Sequence, residues 1–370
     1  MHRARLTLIA VVFSLLLTTV SAAQAATPTC GAGQVYTETN DPAGNQLVVL
    51  KAGRTGALTQ RQVVDAGGLG TGSHLTSGSS VTVSADGCRV AAVNAASGAV
   101  AVFRIATDGT ATFAGSAAAG GARTISVAMH GNLLAALSTT PGSGTTIQTF
   151  RMAGRRVVPV PGSLVPVGTA TDGGQLAFTA RGRYLVVTTR QSLGIVTFRV
   201  GNDGVPVAAE SLVPNAPQWT YGFGLTAQNQ AIVSMIAIGP PVSGSYGSFA
   251  ISPAGGITSV GTPIPGQRGA CWVAVSPKGG YAWGVNADGL QLATLSVSRT
   301  GAIAVTGTTS TGTEEGRDLT VSADGRFVYL LRPDAKDILS YKVGAQGALT
   351  LIGSTATPMA AVATGGIAAS

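Results

Sequence analysis

The chain has 370 residues, of which 10% are charged, 45% are hydrophobic and 52 are glycine. Glycine at twice its usual share without a G-X-Y period excludes collagen, and 45% hydrophobic content at so low a charge excludes a disordered chain. The formal charge of +8 comes from cations that stand singly apart from Arg155-Arg156, without the basic and aromatic stripe of a nucleic-acid binder, so no nucleic-acid partner is expected.

The first 25 residues read as a secretory signal peptide. Arg3 and Arg5 give the basic start, Leu6 to Val20 the apolar stretch, and Ala23-Gln24-Ala25 a small-residue cleavage site. The apolar stretch is only about fifteen residues, where spanning a bilayer takes roughly twenty. The mature chain, residues 26–370, has no other apolar run of spanning length. It is expected to be an exported, soluble, single-domain protein of the cell envelope or the medium, without membrane insertion after cleavage, and monomeric. Its charge falls to about +6 when Arg3 and Arg5 leave.

Internal repetition organises the rest. Six segments align without gaps: 81–94, 125–138, 176–189, 223–236, 273–286 and 319–332, with starts 44, 51, 47, 50 and 46 residues apart. Each has apolar alternation, a tight polar turn and a second β-branched or aromatic run, which predicts a hairpin. A second hairpin follows each, as in 99–117, 194–212 and 338–356. There, Asp108-Gly109 and Asp203-Gly204 supply the left-handed backbone of tight turns. Two hairpins make a four-stranded blade, and a period of roughly 40–50 residues is that of a β-propeller.

The count reaches seven only by joining the ends. Residues 35–68 carry the outer three strands of a unit, and the C-terminal segment from Met359 to Ala368, with Gly365 at a turn, resembles the missing inner strand. That segment is predicted to pair with Val35 to Asn40 and close an all-β, seven-bladed ring, which removes the exposed inner edge an open sheet would leave.

Three cysteines in an exported chain suggest one disulfide and one thiol. Cys30 precedes the second strand of the first blade, and Cys88 lies in the turn opening the second strand of the next, so these two are predicted to pair. Cys271 starts an inner strand at the opposite face. Neither CxxC nor HExxH occurs, and His74 and His130 are the only mature histidines. No metal site and no cofactor are expected.

The repeated S-x-D-G-R turns (Ser84 to Arg89 with Cys at 88, and Ser322 to Arg326), the V-F-R and T-F-R strands (Val102 to Arg104, Thr197 to Arg199) and the D-G outer turns carry a resemblance that spans the mature chain. They resemble the lactonase-type seven-bladed propellers, the family of 6-phosphogluconolactonase and the carboxy-cis,cis-muconate cyclases. The similarity extends to exported bacterial members at Val35-Tyr36-Thr37 with Asn40, at Gly67 to Gly72 and at Gly269-Ala270-Cys271-Trp272. It implies a lactone-opening or lactone-forming activity at one mouth of the central channel. Family members with that chemistry place His, Arg and Glu around the mouth. The inner-strand starts here carry no histidine: Ser79-Ser80, Arg123-Thr124, Gly174-Gln175, Tyr221-Gly222, Cys271-Trp272, Arg317-Asp318 and Pro358-Met359. No catalytic residue is therefore transferred by correspondence.

Loops entering the innermost strands share one face with loops between second and third strands. On that face, Glu314 or Glu315 could activate water, while Arg317, Arg268 or Arg123 holds a carboxylate and the developing oxyanion. His74, in the long Gly/Ser-rich loop 70–80, is another candidate base. Tyr221 and Trp272 are candidate substrate contacts, although aromatics beside a glycine-rich sheet also fill space between blades. The bland alternative for Glu314, Glu315, Arg317 and Asp318 is a solvated, self-paired loop. Two functions stay open: a lactone hydrolase or muconate-type cyclase, and a non-catalytic propeller binding a sugar, peptide or protein on the same face.

Overall fold

The protein is described from a computed structural model covering residues 30–154, 156–168, 172–190, 194–214, 218–237, 243–359 and 366–370. The segment expected to be a signal peptide and Gly365 lie outside the described residues. Alanine-, valine- and threonine-rich segments form strands here because their apolar residues recur every second position, which presents one face of each strand to a neighbouring sheet. Seven antiparallel sheets follow in chain order, and the helical pieces among the described residues are two three-residue turns, Ala95–Ser97 and Ala345–Gly347.

Blade 2 shows the pattern: Val81–Val83 lies innermost, then Arg89–Asn94, Ala99–Ile105 and Ala111–Ala118 outermost. The inner strands of blades 3 to 7 are Arg123–His130, Gly173–Phe178, Trp219–Leu225, Ala270–Val275 and Leu319–Val321. Each coincides with one of the aligned repeats. Blade 3 departs at its rim, where Arg156–Pro159 and Val165–Gly168 both pair with Gly144–Ala153. Pro161, which has no N–H to donate, and Gly162 at φ +74° interrupt the outer strand there.

The core lies between the blades. One apolar layer fills each interface, such as Tyr36, Val49, Val90 and Phe103 between blades 1 and 2. Val48, Leu50, Tyr329, Ile338 and Ile367 fill the seam between blades 7 and 1. That last layer exists because the ring is closed. The closing strand is Ile367–Ala369, with Ile367 opposite Thr37, Ala368 opposite Tyr36 and Ala369 opposite Val35. The expected closure therefore holds, over Ile367–Ala369 at the end of the expected span; residues 360–365 are outside the described residues. Ser370 extends the lock, its N–H donating to the Gln34 carbonyl while its own carbonyl accepts from the Gly33 N–H. The approach is close where the strand begins: a Cβ at Gly366 would lie 2.7 Å from the Ser80 nitrogen.

Cys30 and Cys88 form a disulfide, with Cα atoms 4.8 Å apart, joining the chain ahead of blade 1 to a turn of blade 2. Cys271 is a buried thiol.

Candidate functional site

The innermost strands of blades 3, 4, 5 and 6 all slip register where they begin, between Thr124 and Ser126, Gly173 and Gln175, Thr220 and Phe223, and Ala270 and Val273. A bulge leaves a residue out of the ladder and re-aims it. Four such bulges on one face push Gly174, Tyr221 and the Cys271-Trp272 pair out of regular pairing around the channel. The close approach this requires is visible at Gly222, where a Cβ would lie 2.5 Å from the Cys271 carbonyl oxygen.

The loop running from blade 1 to blade 2 crosses this same mouth and closes it. Asn40 ties down its start: the side chain donates to the Ser73 carbonyl at 2.9 Å and accepts from the Thr71 N–H at 2.7 Å. Ser77 then donates to the Ile125 carbonyl of blade 3 at 2.7 Å, and Trp272 of blade 6 donates its indole N–H to the Ser77 carbonyl at 3.1 Å. Gln175 of blade 4 reaches the Ser79 hydroxyl at 3.1 Å. Thr76 and Ser79 adopt positive φ, +53° and +57°, a conformation that costs a non-glycine residue energy, most of all the β-branched Thr76, and persists only where surrounding contacts impose it. The loop is thus a built stopper, anchored to at least four other blades.

Below it the channel is a cavity of about 270 Å³, with Ser79, Gln175 and Asp318 at its stoppered end and Val83, Val275 and Val321 along its walls. Two buried carboxylates hold the stopper to the ring seam. Glu38 accepts from the Ser80 hydroxyl at 2.6 Å and from Asn45 at 3.0 Å. Asp318 accepts from the N–H groups of Leu319 at 2.8 Å, Ser79 at 3.3 Å and Ile367 at 3.3 Å. Burial pushes both acids up to about 7, their hydrogen bonds opposing the shift in part.

Above the stopper lies a ring of charged side chains. His74 Nε2 is 3.9 Å from Asp334 Oδ1, and Glu315 forms an ion pair with Arg317. Arg123 donates to the His74 carbonyl at 2.7 Å, fixing the backbone that carries the imidazole. Arg190 pairs with Asp172 and lies over the Tyr221 ring, 5.9 Å from its centroid. Burial lowers the pKa of His74, and the Arg317 charge lowers it further; Asp334 and Glu315 oppose this. The balance favours the neutral imidazole. Burial, then the nearby Arg190 charge, also lowers Arg123, with Asp172 opposing. The Nε atoms of Arg123, Arg190 and Arg317 are buried without a hydrogen-bond partner among the described residues. These three partly buried guanidinium groups, two of them paired with Asp172 and Glu315, gather on one face.

Of the residues singled out from the sequence, the fold gathers His74, Arg123, Glu315, Arg317 and Tyr221. Glu314 and Arg268 are exposed. Trp272 is 3% exposed, packs edge-on against Tyr221 with centroids 5.5 Å apart, and holds the stopper through Ser77. Its contacts are those of a packing residue. Burial pushes the Cys271 thiol up to about 12, which makes it a poor nucleophile. Sequence reasoning passed over Arg190, Asp334 and Glu38. Arg190 follows an inner hairpin, and Asp334 sits between a second and a third strand. Both positions were assignable to this face from the repeat alone, whereas nothing in the sequence marks Glu38 as buried.

A model of the family described as "Lactonase, 7-bladed beta-propeller" matches residues 246–363. No curated protein matches the sequence. Among solved structures, a candidate 6-phosphogluconolactonase from Bacteroides uniformis is similar at 17% identity and TM-score 0.71, over 90% of this chain and 99% of that one. Another from Bacteroides fragilis is 17% identical with TM-score 0.67, over 90% and 96%. The periplasmic gluconolactonase of Pseudomonas aeruginosa is 15% identical with TM-score 0.68, over 87% and 96%. Seven antiparallel blades and the closed seam make the chain a seven-bladed β-propeller, and its residues 246–363 match the model of the lactonase-type propeller family.

Proposed function

We propose that the protein opens a lactone ring by hydrolysis, or closes one in reverse, on the stoppered face of the propeller. The observation that carries this reading is the Glu315–Arg317 ion pair close enough to His74 for both charges to act on it, with burial and the Arg317 charge favouring the proton-accepting form of the imidazole. In the forward direction His74 takes a proton from water as its oxygen attacks the ring carbonyl carbon. Arg317, held by Glu315, faces the negative charge that gathers on the carbonyl oxygen. The ring C–O bond then breaks, and the imidazolium returns its proton to the departing alkoxide, leaving a hydroxy acid and neutral His74. Arg123 and Arg190, on the other side of Tyr221, suit a carboxylate or other anionic substituent. No step needs a cofactor.

The same reading makes the protein exported. A disulfide five residues past the expected cleavage site supports it, since such bonds persist in oxidising compartments. The experiment is acid release from a panel of sugar and muconate lactones by the purified mature protein, repeated with His74→Gln and Arg317→Ala. Removing a general base typically costs about 10²–10⁴-fold. Turnover unchanged in both variants, or no turnover of any lactone by the unaltered protein, overturns the reading.

A further inference from the structure

We propose that Asp334 is a positioning residue for His74, orienting the imidazole across the gap between two distant parts of the chain and stabilising the imidazolium when it forms. This rests on the reading of His74 as the proton acceptor.

The two residues come from different elements. His74 rides on the stopper loop, while Asp334 sits in the turn between the second and third strands of blade 7, Phe327–Arg332 and Asp337–Val343. That turn is a firm platform. Arg332 grips Asp337 with two hydrogen bonds, 2.9 Å from Nε and 2.6 Å from Nη2, and donates a third to the Thr311 carbonyl at 2.8 Å. The Lys336 N–H closes the turn on the Pro333 carbonyl at 3.0 Å, with Lys336 itself at φ +52°. On the other side, the Arg123 bond to the His74 carbonyl fixes the histidine main chain. Arg123 thus anchors the main chain of His74 and Arg332 the turn that carries Asp334, with the two side chains 3.9 Å apart.

The charged groups facing the imidazole divide by element. Arg317 and Glu315 come from the segment entering blade 7, Asp334 from its turn, and Arg123 from blade 3. Arg317 repels a proton on His74, and Glu315 is engaged with Arg317. Asp334 is thus the carboxylate best placed to accept a charge-assisted hydrogen bond from the imidazolium. During water attack the proton goes to the imidazole, its positive charge is drawn toward Asp334, and the carboxylate stays ionised. The cost of forming a cation beside Arg317 falls accordingly.

The test uses the full mature protein, in which His74 and His130 are the only histidines, so imidazole titrations are resolved by NMR with His130 as internal reference. Asp334→Asn is expected to lower the His74 pKa, and Asp334→Glu to restore part of it. On a lactone that the protein turns over, Asp334→Asn should lower kcat by up to about 10²-fold with little change in KM, and the acid limb of the kcat profile should move down in pH with the imidazole. An unmoved His74 titration in Asp334→Asn overturns the proposal whether or not any lactone is turned over. A moved titration with no turnover by the unaltered protein upholds the pairing and overturns the hydrolase reading instead.

Discussion

Ser80 donates its hydroxyl to Glu38 at 2.6 Å inside the seam of the ring, joining the stopper loop to the second strand of blade 1. One residue earlier in the loop, the Ser79 N–H donates to Asp318, which also holds the closing strand through Ile367. Glu38 also accepts from the backbone of Gly366, so two acids clasp the same two adjacent segments, and the stopper and the end of the chain share one lock.

That lock predicts a pH dependence. Both carboxyls titrate at about 7 in the folded protein, against roughly 4 when unfolded. Their folded values are raised, so the stability they contribute is fully present below about pH 4 and is lost as pH rises through 7. The loss is on the order of 4 kcal/mol per group. Glu38→Gln should flatten this slope, because the amide can keep both partners by giving its NH2 to Ser80 and its oxygen to Asn45. Urea midpoints at pH 5, 7 and 8.5 check it; equal slopes in the two proteins would refute it.

Ring closure depends on very few residues. Ile367 is 4% exposed in the layer between blades 7 and 1, so Ile367→Ala should cost about 2–5 kcal/mol. Deleting residues 366–370 should cost more, since the strand pairing and the Ser370 bonds go with it. Thermal melts decide the matter, and a truncated protein melting like the intact one would sink the closure.

The disulfide and the thiol should behave oppositely. Breaking Cys30–Cys88 by double substitution to alanine should cost about 2–4 kcal/mol. Cys271 should resist a thiol reagent until the protein unfolds, because it is buried and its pKa is pushed up to about 12. Non-reducing peptide maps and timed labelling test both; rapid labelling of the native protein contradicts this burial.

The seating of the stopper is testable at Gly78. A Cβ there would lie 2.4 Å from Gln175 Oε1 and 3.2 Å from Trp272 Cδ1. Gly78→Ala must therefore displace the loop or its anchors, at about 1–3 kcal/mol. Faster amide exchange at residues 76–80, with the outer strands unchanged, is the expected signature. A variant with wild-type exchange there would mean the contacts do not hold the loop.

The number of blades, their strand order and the union of the two ends were legible along the chain, because a propeller repeats one local unit. Period-two patterning and glycine turns act within about fifty residues. The Cys30–Cys88 pair followed from the same repeat, since it places every turn on a known face. Tertiary structure alone decided which residues meet at the mouth. His74 reaches Asp334 across 260 positions, and Glu38 reaches Ser80 across 42. Such contacts depend on register slips of one or two residues at strand entries and on the path of one irregular loop, neither of which leaves a period in the sequence. The sequence marked the span of the closing strand and left its residue-by-residue register open for the same reason. Three short residues, Ile367 to Ala369, carry too little pattern to fix their own alignment, and the packing of blade 7 against blade 1 fixed it for them.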